Sequence, residues 1–118
     1  MMKSHFSTTT TARDRDVLTC PHCRGDYLHH GQVTVYDRSE DAPRLTKIEV
    51  RDRTANITNV DNKNSGNPSD RRDGVAVRFW CDHCDNVSEL TIAQHKGASL
   101  MGWRVLYGGE NGHTDKRA

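Results

Sequence analysis

A small, mainly antiparallel β domain is the fold class that this sequence of 118 residues predicts, and three observations predict it. Apolar residues alternate with polar ones in five separate stretches, which places them on one face of a strand. No stretch sustains a helical period. Four cysteines form two pairs of identical spacing, Cys20 with Cys23 and Cys81 with Cys84, separated by the 57 residues 24–80.

The strands are read in order from that alternation. Val33 and Val35 alternate with Thr34 and Tyr36, and Ile48 and Val50 flank Glu49. Val75, Val77 and Phe79 alternate with Ala76, Arg78 and Trp80; Leu90 and Ile92 flank Thr91; a further strand runs through Trp103, Val105 and Tyr107. Residues 61–74 are almost wholly turn-forming or charged and read as a long exposed loop inserted in the domain. Residues 1–16, with four consecutive threonines and then alternating Arg and Asp, offer almost nothing to bury, and residues 108–118 have the same character. Both read as disordered tails around a domain at 17–107.

Composition explains why such a domain needs a staple. With 33% hydrophobic and 28% charged residues and a mean hydropathy of −0.87, little apolar area is at hand to offset chain entropy. No apolar run has the length of a membrane span, and the opening residues lead into threonines rather than the apolar core of a secretion signal, so the expectation is a cytoplasmic protein without membrane contact. In a reducing compartment, paired cysteines serve as metal ligands more readily than as disulfides. The glycosylation pattern at Asn56-Ile57-Thr58 and Asn86-Val87-Ser88 would then go unused.

The cysteine pairs read Cys20-Pro21-His22-Cys23-Arg24-Gly25 and Cys81-Asp82-His83-Cys84-Asp85-Asn86. Cysteines three apart across a tight turn can aim both sulfurs at one ion while turn amides hydrogen-bond the thiolates, and two such knuckles complete a tetrahedron. Pro21 fixes φ at the start of the first turn, and Gly25 suits a left-handed exit, with Asn86 in that part in the second. Two disulfides would need an oxidising compartment, and a redox dithiol needs one pair rather than two. The expectation is therefore one structural zinc ion on Cys20, Cys23, Cys81 and Cys84.

These two knuckles resemble the zinc-ribbon superfamily, which implies a small three-stranded antiparallel sheet crowned by the metal. The stretch from Leu18 to Trp103, with Tyr27-Leu28-His29-His30-Gly31, the segment Gly66 to Gly74 and Leu90 to Gly97, also resembles small proteins of actinobacteria and their phages. That second resemblance implies a bacterial or phage setting and carries no activity with it.

The seven histidines invite a second metal site or a catalytic role. His22 and His83, inside the knuckles, are expected to point away from an ion that already holds four sulfurs. His29 and His30, adjacent on a strand, face opposite sides, so only one could join a cluster with His95. A closed shell of four cysteines leaves no position for a catalytic water, and no phosphate loop or nucleophile elbow accompanies it, so the protein is not expected to be an enzyme.

Formal charge is +1 and falls to about −1 once four thiolates and a divalent ion are counted, which removes any global attraction to nucleic acid. The best candidate for an interaction face is Arg71, Arg72, Arg78 and Trp80, since arginines beside an aromatic suit phosphates and stacked bases. Against this, Arg71 and Arg72 can pair with Asp70 and Asp73, and Trp80 can pack beneath the metal site. The balance favours a protein-contact adaptor or inhibitor with an unidentified protein partner; the alternative is a nucleic-acid-binding ribbon of the transcription-factor kind, binding weakly.

Overall fold

Six antiparallel strands form one sheet in the computed structural model, which describes residues 16–107: β1 (Leu28–Asp37), β2 (Arg44–Arg51), β3 (Thr54–Asp61), β4 (Gly74–Cys81), β5 (Val87–His95) and β6 (Ala98–Tyr107). The mainly β expectation is met, with no helix among the described residues, and the sheet is twice as wide as a three-stranded ribbon. The tails expected at 1–16 and 108–118 lie outside the described residues apart from Asp16.

Strand order is β3-β2-β1-β4-β5-β6, so two three-stranded meanders stand back to back, with β1 and β4 paired at the centre. Two-residue turns with positive φ at both positions close two of the hairpins. Asp52 and Arg53 (φ 52° and 63°) join β2 to β3, and Lys96 and Gly97 (φ 51° and 83°) join β5 to β6. Such turns match the strand twist but are favoured by Asn and Gly, which is why β3, entered through Asp52-Arg53, escapes a sequence reading. Its residues hide it further, because Ile57 and Val60 fall on opposite faces.

Register sorts the side chains into cross-strand rows. One row runs Ile57, Ile48, Val35, Val75, Ile92, Met101, and the next runs Ala55, Val50, Val33, Val77, Leu90, Trp103, each with one residue from every strand. A bulge between His30 and Val33 keeps β1 in phase with β4. The alternation read in the sequence thus marks one face correctly. That face is the open one: none of these twelve residues is fully buried, and Ile57 is 70% exposed.

Burial falls on the opposite face, on Thr34, Tyr36, Leu45, Ala76, Glu89 and Thr91. The β3–β4 connection covers it, because the chain leaves the edge strand and must return to the centre of the sheet. Lys47 Nζ on β2 and Arg104 Nη1 on β6 donate to the carbonyls of Ser65 and Gly66 at 2.9 and 2.8 Å. Gly66, at φ 92°, holds a backbone conformation that other residues rarely adopt, with a Cβ position 3.0 Å from the Tyr36 hydroxyl, and a Cβ on Gly74 would fall 2.4 Å from Asn67 Oδ1. Ser69 Oγ donates to the Gln94 carbonyl and accepts from the amides of Arg71 and Arg72. The segment read as an exposed loop is therefore anchored, with Ser65 and Ser69 buried, because its turn residues satisfy one another and leave two carbonyls to accept from the sheet and the Ser69 hydroxyl to donate to it.

Candidate metal centre

Pairing of β1 with β4 builds the site. Leu28 at the start of β1 stands opposite Cys81 at the end of β4, and the Asp82 amide donates to the Tyr27 carbonyl, so the chain preceding β1 and the β4–β5 turn meet at one end of the sheet. Each carries one Cys-x-x-Cys turn, and the two turns repeat each other. The Cys20 amide donates to the Gly25 carbonyl and the Arg24 amide to the Cys20 carbonyl; the Cys81 amide donates to Asn86 and the Asp85 amide to Cys81, all at 2.9–3.1 Å.

The left-handed residues are Arg24 (φ 65°) and Asp85 (φ 60°), not Gly25 and Asn86 as the sequence suggests. Gly25 is required for space instead: a Cβ there would lie 2.4 Å from His83 Cδ2 and 3.3 Å from Cys23 Sγ. Asn86 contributes its side chain, with Nδ2 donating to Cys84 Sγ at 3.1 Å.

All four sulfurs lie within 4.8 Å of one another, with Cys20 to Cys84 at 3.7 Å and Cys23 to Cys81 at 3.5 Å. Four thiolates about 2.3 Å from a central ion stand about 3.8 Å apart at the corners of a tetrahedron, so the cluster can hold one metal ion. Amides of His22, Gly25 and His83 donate to Cys20, Cys23 and Cys81 at 3.4 Å each. With Asn86, every sulfur has an N–H donor. Burial pushes the Cys81 thiol up to about 12 and raises Cys84, while the Gly25 amide, chiefly, lowers the exposed Cys23. A cation placed among the sulfurs would favour the ionised forms of Cys81 and Cys84 against that desolvation.

The histidines stay out of the cluster. His83 lies over Gly25 and beside Tyr27, ring centroids 5.2 Å apart, and His22 is exposed. His29 stacks on Trp80 at 5.0 Å and hydrogen-bonds Asp82 at 2.7 Å; His30 meets Phe79 on the other face; His95 lies 3.6 Å from Asp70. Among the described residues the four cysteines are the one group placed to hold a metal.

The four residues of the sequence-derived interaction face are not gathered on one free surface. Arg71 reaches Glu40 and Asp41 in the β1–β2 connection, at 2.6 and 3.2 Å, rather than Asp70 or Asp73. Arg78 points under the covering loop toward buried Glu89 (3.7 Å), which Arg104 also contacts at 2.8 Å. Trp80 is half-buried against His29, and Arg72 is exposed. Asp73 instead accepts the amide of Arg38. Sequence separation hid Glu40, Asp41 and Glu89 as partners, each in a different element from its arginine. No protein-family model, curated protein or solved structure matches the chain.

Proposed function

We propose that the chain is a structural-zinc protein whose work is protein contact, as an adaptor or inhibitor, and that it performs no catalysis. The observation that carries the choice of partner class is the pairing within the candidate arginine face: Arg71 meets Glu40 and Asp41 and Arg78 meets Glu89, so that of its three arginines only Arg72 has no acidic partner among the described residues to compete with a phosphate backbone. Zinc is the ion of choice for a closed tetrahedral sulfur site, iron being the other metal that such a set accepts. A shell of four sulfurs has no open position for substrate or water, which favours a structural ion over a catalytic one. The ion would pin the turn before β1 to the β4–β5 turn, holding the rest of the surface rigid for a partner.

Gel retardation at low and moderate salt, set beside affinity capture from bacterial lysate, tests this reading. The expected result is no shift of single- or double-stranded DNA or RNA at low salt and a specific captured protein. Submicromolar, salt-resistant DNA binding that disappears when Arg71, Arg72 and Arg78 become Ala would overturn it.

A further inference from the structure

The apolar face of the sheet has no second layer among the described residues, although stable domains bury a sheet face against another layer. We propose that this face is the interface of a homodimer, two copies packing sheet on sheet about a two-fold axis. The inference goes beyond the adaptor reading and does not depend on it.

Size is the first argument. Two full rows of apolar side chains cross all six strands without a charged or polar interruption. At about 4.8 Å between strands and about 13 Å along them, the two rows project to roughly 350 Å². A patch of that size can form the apolar centre of a stable interface, which with its polar rim buries roughly 800 Å² per partner.

Composition of the face and of the remaining chain selects the occupant. Residues 1–15 supply only Met1, Met2, Phe6 and Ala12 as apolar side chains, and residues 108–118 only Ala118, too few to cover twelve positions. A foreign partner recognised specifically would meet charge or hydrogen-bonding groups, and transient interfaces are no more apolar than the surface at large. A sheet face apolar across all six strands resembles half of a divided core, the mark of an obligate interface. A second copy presents the same face, and two-fold symmetry lets a broad patch complement itself. Sheets stacked at about 10 Å with strands within about 30° of parallel would bring the two apolar rows of each copy together.

The test is sedimentation equilibrium of the full chain carrying its metal, at micromolar concentration and at tenfold more. The expected mass is twice the 13.3 kDa chain. Ile57→Glu with Ile92→Glu changes two residues that are 70% and 36% exposed in the single chain, so fold and metal content should survive while association weakens at least a hundredfold. Leu100→Glu, 52% exposed on the opposite face, should leave the dimer intact. A mass of one chain at both concentrations would overturn the proposal, whether a tail or another protein then covers the face. So would a dimer that withstands the paired glutamates or dissociates with Leu100→Glu. If the paired glutamates release the metal and unfold the chain, the wild-type mass decides alone.

Discussion

Thr34, Glu89 and Thr91 are buried on one face of the sheet, whereas Ile57, Val50 and Met101 stand in the open on the other. The polar face is closed because the β3–β4 connection has to cross it, bringing hydrogen-bonding groups that suit Lys47, Arg104 and the Gln94 carbonyl. The apolar face is open because no connection passes over it. Burial here follows the route of the chain, which leaves the apolar rows of the other face exposed or half-buried. The resulting core, Tyr36, Leu45 and Ala76 with Val60 against them, is small for a domain of this size.

The four cysteines join the turn before β1 to the β4–β5 turn, so loss of the ion proposed to sit among them gives the largest expected effect. Cys84→Ser should lose the ion and unfold the domain, since structural sites of this kind contribute about 10–16 kcal/mol. Elemental analysis with far-ultraviolet circular dichroism checks it; a folded, fully metallated variant would mean that other ligands hold the ion. Acid should act the same way. Bound thiolates are deprotonated, whereas without the ion the Cys81 thiol keeps its proton up to about 12 and Cys84 is raised as well, so protons compete with metal. Affinity should fall as pH falls, by up to about four decades per pH unit near neutrality if all four thiols take up protons.

The next effect separates the faces. Glu89→Gln leaves Arg78 and Arg104 without their carboxylate under the loop, and should cost about 2–3 kcal/mol, toward the low end for a buried pair because Arg104 is partly exposed. Chemical denaturation measures it, and a change within experimental error would show that water already screens the cluster. The hydroxyl of Tyr36, raised by burial and then by Glu89, sits in the same environment.

Gly74→Val tests the closed face by lifting its cover. The new side chain would collide with Asn67 and Pro68, costing about 1–3 kcal/mol as overpacking does. Amide exchange should accelerate over 62–73 while strands β1 and β2 keep their protection. Unchanged exchange in that segment would show that the loop is held elsewhere. Smallest of all, His22→Ala and His83→Ala should each change stability by less than about 1 kcal/mol and leave the metal in place, because backbone amides rather than imidazoles support the sulfurs. Metal loss in either variant would contradict the sulfur-only shell.

The cysteine spacing picked out the four residues whose sulfurs the fold gathers, since two turns of one geometry need only be brought together. The period-two alternation located five strands and assigned their apolar residues to a common face, because side-chain direction along a strand is a local property. Local signals ended there. β3 lay beyond reading, entered by an Asp-Arg turn and holding Ile57 and Val60 on opposite faces. The left-handed residues of the knuckles became visible only with their turns closed, because Arg24 and Asp85 carry no sequence mark of that conformation. The partners of Arg71 and Arg78 come from other elements, so charge counting gave Arg71 the wrong acids and Arg78 none. What the sequence determined by itself is therefore a β chain able to gather four sulfurs. Tertiary structure alone decided which face the returning loop would cover, because that depends on β3 standing at an edge and β4 at the centre, an ordering of strands that no local pattern contains.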